Sequence, residues 1–386
     1  MKFMSTVAWG ALALALSSQA HAQQKAPEVA ATEVDTVVVT GTRRVDRTAF
    51  ESVAPVDVVS QEALKNTVSD EIMDKLAATT PSFNVQRLPA ADGQAFVRPA
   101  TLRGLSPDQT LVLVNGKRRH RSAVLGGRGQ QGVDLASLGT SGIERIEVLR
   151  DGASAQYGSD AIAGVINIIL SDKTGFEGYG QFGRYYAGDG DKTEIGARYG
   201  LAIGKGGSLV GAVDYTNAEA TSRTRQRPDA IAFQAANPTI KVPNPVQRWG
   251  QPDREVWRGS LNLVLPITDA IEAYGFATYS DMHGVTDFNW RNPSTDTSYR
   301  TSPAFPGWSL SQLYPAGFSP KFGQDETNAS INGGLRGDAM GWSWDLSAAW
   351  GKDKVDYFLN NSINASFGPQ SPTSFDAGAL IQKEAT

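Results

Sequence analysis

The residue types that most often carry catalysis are few in this chain and poorly spaced for it. The three histidines are His21, His120 and His283, and none has a carboxylate at metal-ligand spacing. Cysteine is absent, which excludes thiolate nucleophiles, thiolate metal sites and disulfides. The sequence also has no nucleophile elbow and no zinc-binding helix motif. We therefore predict no catalytic residue, no metal site and no cofactor, and a protein that is not an enzyme.

The densest cluster of charge is Lys117–Arg121, with the sequence KRRHR. Taken alone, such a run is typical of a nucleic-acid patch or a localisation signal. The whole chain has a formal net charge of −4 at pH 7, which argues against nucleic acid as a partner. The run follows Asn115-Gly116, a strong tight-turn signal, so we expect it to lie on a loop.

A second motif, Gly127–Gly132, spells G-x-G-x-x-G. A dinucleotide site would need a strand before this motif and a helix after it, within one βαβ unit. Here the motif ends a basic loop, and Val133-Asp134-Leu135 follows without a helix pattern. We interpret it as a flexible glycine loop.

The first 22 residues have the pattern of a cleavable signal peptide. Lys2 provides a short positive region, Val7–Leu16 is an apolar core too short to span a membrane, and Ala20-His21-Ala22 fits the cleavage pattern. The alternative is a buried N-terminal helix. Residues 23–48 are predicted to be a disordered leader, and no later apolar run is long enough for a transmembrane helix. The pattern predicts export.

Residues 49–172 have the pattern of a compact α+β domain. Val56–Val59 is a predicted strand, and Ser60 is expected to cap a helix that starts near Gln61. Ser69 is expected to cap a second helix, whose apolar stripe would pack in the core. Further strands are predicted at Leu111–Val114, Ile143–Leu149 and Val165–Leu170.

From Gly175 the pattern changes to long strands that alternate apolar and polar residues, which gives each strand one apolar and one polar face. We predict seven strands, near residues 176–186, 193–203, 208–217, 255–266, 270–281, 326–337 and 341–352. Three of the links between them are short and two are long, at Ala218–Arg254 and Met282–Asp325. Short turns on one side and long loops on the other are typical of an outer-membrane β-barrel.

Four pieces of sequence closely resemble the plug domain of TonB-dependent outer-membrane receptors. They are Arg103-Gly104, the LVLVNG hairpin at Leu111–Gly116, IERIEVLRDG at Ile143–Gly152 and YGSDAIAGVINI at Tyr157–Ile168. The resemblance implies an α+β plug at 49–172, followed at 175–386 by antiparallel strands of a transmembrane β-barrel. Family members have 22 strands, so about seven strands imply an incomplete barrel and a piece of a longer or truncated protein.

The segment Asp35–Arg43, DTVVVTGTR, resembles the TonB box of this family. A free β-prone segment can add itself as a strand to the sheet edge of another protein. The resemblance implies that TonB, with its inner-membrane proton-motive complex, is a partner. The expected TonB-binding residues are Asp35, Thr36, Val37, Val38, Val39 and Thr40. The alternative is that the segment forms the first strand of the plug.

The resemblance also implies roles for the plug arginines. Arg103 and Arg150 match positions from which the family's plugs pair with acids of the barrel wall; the alternative is ordinary surface ion pairs. In such a fold the loop with KRRHR points up the lumen, so a cationic apex would attract an anionic ligand. The expected ligand-binding residues are Arg118, Arg119, His120, Arg121 and Arg128. The alternative is that they pair with acidic residues of the lumen wall.

The resemblance implies a receptor in the outer membrane of a Gram-negative cell that imports a scarce ligand, such as a siderophore, vitamin or carbohydrate. Besides TonB, its expected partners are outer-membrane lipid and that small molecule. The long loops, with Trp249, Trp290 and Trp308, are the expected outer ligand surface. The alternatives are a passive porin, a surface-binding barrel protein, a soluble periplasmic binding protein or a non-functional truncated receptor.

Overall fold

A computed structural model describes Thr40 and residues 55–67, 69 and 71–386. The predicted signal peptide, the leader and the TonB-box residues Asp35–Val39 lie outside the described residues. Among the residues that are described, no helix is both long enough and apolar enough to cross a bilayer.

The plug, residues 55–172 of the described chain, is built on a five-stranded sheet with the order β1-β6-β7-β4-β5. Its strands are β1 (Val56–Ser60), β2 (Phe83–Asn84), β3 (Thr101–Leu102), β4 (Thr110–Val114), β5 (Lys117–Arg118), β6 (Ile143–Leu149) and β7 (Gly164–Leu170). Its helices are α1 (Gln61–Asn66), α2 (Ile72–Thr79), α3 (Gln94–Val97) and α4 (Ser154–Tyr157). β2 and β3 pair with each other in a small separate sheet.

The local signals of the plug are largely confirmed. The Ser60 hydroxyl accepts a hydrogen bond from the Ala63 amide at 3.2 Å and so caps α1. The apolar side of α2 is fully buried in the main core, together with residues of β4, β6 and β7. The predicted cap at Ser69 is wrong, because α2 begins two residues later than such a cap requires. The Ser69 hydroxyl instead accepts a hydrogen bond from the backbone amide of Glu71, which precedes the helix.

Residues 175–386 form the wall, an open antiparallel sheet in which each strand pairs with its neighbour in sequence. It has eight strands, one more than the seven predicted. They are β8 (Gly175–Gly183), β9 (Lys192–Ile203), β10 (Gly207–Ala218), β11 (Asp253–Thr268), β12 (Ile271–Asp287), β13 (Lys321–Ala339), β14 (Trp342–Asn360) and β15 (Phe375–Ala385). Several strands also run further than their apolar patterns, because the backbone ladder continues into polar residues at both ends.

The connections of the wall alternate in length, as predicted. Turns of two or three residues join β9 to β10, β11 to β12 and β13 to β14. Longer loops join the strands at the other end, and two of them span residues 219–252 and 288–320. Helix α5 (Pro228–Ala236) lies in the first of these two loops. We call these ends the short-turn side and the long-loop side.

The wall has its apolar face outside and its polar face inside. Between residues 324 and 332 of β13, the buried side chains are polar: Gln324, Glu326, Asn328, Ser330 and Asn332. The outward positions that alternate with them include Ile331 and Leu335, which are 57% and 43% exposed. A soluble sheet would bury the apolar set, because that is the surface that gains most by leaving water. This inversion is the arrangement of a wall that meets lipid outside and a polar filling inside.

Candidate functional site: the plug–wall interface

The plug lies directly against the polar inner face of the wall. At Gly139, an added Cβ would stand 2.1 Å from Asp214 Oδ2, and at Gly142 it would stand 2.2 Å from Ser260 Oγ. Between these glycines, the Ser141 hydroxyl donates to Asp214 Oδ1 at 2.7 Å. The segment 139–142 therefore depends on small residues to reach the wall.

Arg119 is the charged centre of this interface. Its guanidinium donates to Thr278 and Ser330 at 2.8 and 3.3 Å and to Asn328 at 2.9 Å, all on the wall. It also donates to the plug residue Ser137 at 2.9 Å. Burial lowers the pKa of Arg119 to about 10, against the opposing effect of nearby carboxylates, so the group stays charged at neutral pH. These contacts hold Arg119 against the lumen wall through neutral oxygens, and its role as a ligand-binding residue remains a prediction.

His120, the next residue, is buried and uncharged. Burial, and after it the charge of Arg119, lowers its pKa to about 3. The ring is so close to β14 that a Cβ on Gly351 would stand 2.3 Å from Nδ1. His120 is thus placed to fill space against the wall, and its role as a ligand-binding residue remains a prediction.

An acidic group completes the buried cluster. Asp353 of β14 accepts the Ser122 hydroxyl at 2.9 Å and the Ala123 amide at 2.7 Å, which ties a plug loop to the wall. Asp134 of the plug has its pKa raised to about 6 by burial and then by the charge of Asp353. Charge-assisted hydrogen bonds of this kind hold position more strongly than neutral ones.

A second set of ion pairs joins plug and wall near the long-loop side. Glu71, which is 1% exposed, forms ion pairs with Arg98 of the plug and with Arg254 of β11. Arg98 also pairs with Asp74 at 2.7 Å. The sequence did not indicate these ion pairs, because their partners are far apart along the chain. The signs are also reversed: we predicted plug arginines paired with wall acids, whereas here the plug supplies an acid and the wall an arginine.

Arg103 and Arg150 find their described partners inside the plug. An Arg103 nitrogen lies 3.7 Å from Asp151, and Arg150 pairs with Asp57 at 2.8 Å. Both arginine side chains are about two-fifths exposed, at 41% and 38%. Their pairing with acids of the barrel wall remains a prediction.

The remaining members of the predicted cationic apex lie at different heights. Lys117 pairs with Asp345 at 2.9 Å, close to the short-turn end of β14. Arg118 and Arg121 both pair with Asp160, at 2.6 and 3.4 Å. Arg128 is exposed. Its loop begins next to Val124, which packs against Val355 in the half of β14 nearer the long-loop side. Of the five predicted ligand-binding residues, Arg128 best keeps an exposed charge towards the long-loop side.

The long loops are folded structures with small cores of their own. Trp290 is 5% exposed and meets the Phe233 ring edge-on at 6.2 Å, so it packs the loops together. Trp308 meets Phe305 edge-on at 6.3 Å, whereas Trp249 is 39% exposed. The exposed Trp249 is therefore the more accessible part of the predicted aromatic surface.

Thr40 is the one member of the predicted TonB box that the structure describes. Its amide and hydroxyl donate to Glu147 Oε2 at 2.9 and 2.6 Å, and its hydroxyl accepts from the Asn167 amide at 3.0 Å. Thr40 is fully buried. Among the described residues, no group of three or more His, Asp or Glu side chains is placed to hold a metal ion.

Comparisons with known proteins agree with this architecture. The family model of the TonB-dependent receptor plug domain matches residues 48–165. A vitamin B12 transporter of Vibrio cholerae is 31% identical over 207 residues, which are 52% of this chain and 30% of the transporter. The ferrienterobactin receptor of Escherichia coli is 31% identical over 164 residues, which are 42% of this chain and 21% of that receptor.

The fold is also similar to a solved receptor. The ferric enterobactin receptor of Pseudomonas aeruginosa aligns with a TM-score of 0.52 at 19% identity, covering 86% of this chain and 46% of that protein. The chain thus spans less than half of each of these relatives. These relatives are transporters and receptors.

Proposed function

We propose that this chain imports a scarce ligand across the outer membrane with energy delivered by TonB. It belongs to the family of TonB-dependent receptors by its plug and its wall. The observation that carries the proposal is the plug fitted against the polar inside of a sheet whose outside is apolar. A passive pore needs an open lumen, whereas here the described inner face is covered by the plug.

The proposed cycle needs no cofactor. Ligand binds at the long-loop side, which faces the cell exterior, and its occupancy makes the TonB box at Asp35–Thr40 available in the periplasm. Strand addition to TonB then transmits the pull that displaces the plug. The plug–wall contacts around Arg119 and Glu71 are hydrogen bonds and ion pairs, which can break and re-form as the plug moves.

The ligand is proposed by class: an iron chelate, a vitamin or a carbohydrate that is too large or too dilute for passive entry. Vitamin B12 and ferric enterobactin are the first probes, since they are named for the relatives described above. The exposed Arg128 and Trp249 support an anionic or aromatic chelate, because they offer a charge and a ring to solvent.

The test is uptake of radiolabelled cobalamin and ferric enterobactin by cells that carry the receptor, that is, residues 1–386 within a chain that adds the further strands of the wall. Deletion of Thr36–Thr40 removes the strand that TonB would take up, so uptake is expected to fall to the background of cells without the receptor. An uncoupler of the proton gradient is expected to have the same effect. A matched deletion of five residues in the leader, 24–28, serves as the control and should leave uptake intact.

Uptake that survives both the Thr36–Thr40 deletion and the uncoupler would favour a passive barrel. Uptake of neither probe would reject these two ligands, and binding of purified TonB to the receptor in outer membranes would then test the energy coupling by itself.

A further inference from the structure

Glu147 is an unusual residue for its position. It lies in the middle of β6, is fully buried, and has the core residues Ile146 and Val148 as chain neighbours. A carboxylate in such a place costs stability unless donors surround it. The sequence motif IERIEVLRDG identified the plug, but nothing in it indicated what Glu147 does.

The two oxygens of Glu147 have separate donors. Oε1 accepts Arg145 Nε at 2.9 Å, and Oε2 accepts both donors of Thr40. Asn167 stands directly opposite Glu147 on β7 and donates to the Thr40 hydroxyl from the other side. Thr40 is therefore held by three hydrogen bonds from two side chains on one face of the plug sheet, and two of the three involve a charged acceptor.

Asn167 connects this contact to the turn between β4 and β5. Its Oδ1 accepts the Gly116 amide at 3.0 Å. The neighbouring Asn115 donates to Asn262 Oδ1 of the wall strand β11 at 3.0 Å. Asn262 in turn donates to the Ser171 carbonyl at 3.1 Å, where the plug leads into the wall. A short series of amide hydrogen bonds thus runs from Thr40 to the inside of the wall.

A cavity of about 350 Å³ borders this series and gives it room to change. It is lined by the side chains of Asn115, Lys117, Arg145, Asn167 and Asn262, among others. The lining also contains apolar side chains such as Leu113 and Ile169, but its amide and charged groups give water hydrogen-bonding partners. Water can therefore take over hydrogen bonds that Thr40 gives up without the plug core opening.

We propose that Glu147 and Asn167 form a clasp that holds Thr40 on the plug and so restrains the TonB box, and that Asn115 and Asn262 connect the clasp to the wall. This inference rests on the proposed function and adds the residues that set how readily the box is released. Movement of the plug against β11 would strain the Asn115–Asn262 contact and, through Asn167, loosen Thr40.

These 386 residues contain no cysteine, so Thr36→Cys introduces a single thiol, within the box. Any cysteine in the further strands that complete the wall is replaced by serine. The rate at which a maleimide reagent labels this cysteine is measured in outer membranes that contain the assembled receptor, without ligand and without TonB. Thr40→Val removes the hydroxyl but keeps the shape, and labelling is expected to become about tenfold or more faster, as for the loss of a hydrogen bond to a buried charge.

Matched variants separate the clasp from general damage. Thr40→Ser keeps the hydroxyl and should label at the native rate. Glu144→Gln changes the same residue type on the same strand, away from Thr40, and should also label at the native rate, whereas Glu147→Gln and Asn167→Ala should label faster. Since Glu147 and Asn167 are buried and their variants could fail to assemble, Thr40→Val decides the proposal: an unchanged rate overturns it.

The connection to the wall has its own test. Asn262→Ala should speed labelling in the native background and add little to Thr40→Val, since both act on one series of contacts. An unchanged rate in Asn262→Ala would reject the connection. The proposed function fails separately, if purified TonB never binds the receptor, native or Thr40→Val, because the labelling rates do not depend on TonB.

Discussion

Arg119 and His120 are neighbours in sequence, both buried against the wall, yet they differ in charge at neutral pH. Arg119 keeps its charge because burial lowers its pKa only to about 10, against the opposing effect of nearby carboxylates. Four oxygen acceptors from plug and wall also surround its terminal nitrogens. His120 is desolvated and also lies beside the positive charge of Arg119, so its neutral form is favoured.

The pKa of His120 makes the interface sensitive to acid. Its pKa of about 3 in the folded protein is below the ordinary value of 6.5, so the unfolded chain binds the extra proton first as the pH falls. The stabilisation is complete above pH 6.5 and is lost on acidification towards pH 3. Between pH 7 and pH 4.5, the native protein is expected to lose about 2 kcal/mol that His120→Gln, neutral throughout, does not lose.

The measurement is the unfolding free energy of the assembled receptor at both pH values, compared between the native protein and His120→Gln. Asp134 has a raised pKa and therefore contributes the opposite slope, with stability lost as the pH rises through about 6. It is present in both proteins and cancels in the comparison. Equal pH dependence in the two would show that His120 titrates normally.

At the scale of elements, the fit between plug and wall depends on where side chains are missing. The segment 139–142 approaches β10 and β11 so closely that Cβ atoms at both of its glycines would meet wall side chains. Hydrogen bonds such as Ser141 to Asp214 are possible only at that separation. The polar contacts between this segment and the wall therefore depend on its two glycines.

Gly139→Val should push this segment off the wall. Overpacking of a close contact costs about 1–3 kcal/mol, which is enough to expose plug residues part of the time. Trypsin digestion of outer membranes is expected to cleave the plug of this variant several times faster than that of the native protein. Gly127→Val is the control, because a Cβ there has open space around it; equal protection of Gly139→Val and the native protein would contradict the packing argument.

At the scale of the whole molecule, the sheet of residues 175–386 is open. Its strand order runs from β15 to β8, and these two edge strands pair on one side only. Unpaired backbone amides and carbonyls cost several kcal/mol each in hydrocarbon, so lipid tolerates strands only in a closed barrel. The apolar outside of this wall therefore needs further strands to be stable in a membrane.

Expression of residues 1–386 alone tests this requirement. Without strands to join β8 to β15, the product should not give the compact, heat-modifiable band of a folded barrel in gel electrophoresis of unboiled samples. The same residues within a chain that adds further strands should give that band. A heat-modifiable monomer from residues 1–386 would show that the eight strands close on themselves.

Local patterns anticipated much of this protein. The bounds of β6 match the prediction because its alternating pattern is bounded by Gly142 on one side and by Asp151-Gly152 on the other. The alternation of β9 to β14 and the difference between short turns and long loops were legible for a similar reason: a period of two and a Gly-rich turn are properties of adjacent residues. Strand β15 was not predicted, because Leu380 and Ile381 are adjacent and do not alternate with polar residues. It forms a strand through backbone pairing with β14.

What the sequence determined by itself is the family and the two kinds of architecture, since both follow from short motifs and periodicity. Only the tertiary structure decided which charged side chains are exposed and which are buried and paired. Arg119, Glu71 and Glu147 each contact residues that are far away in the chain. In the basic run, Arg119 contacts the wall whereas the adjacent Arg118 pairs with Asp160 of the plug. Burial and charge pairing depend on contacts between distant segments, and these exist only once the plug lies inside the wall.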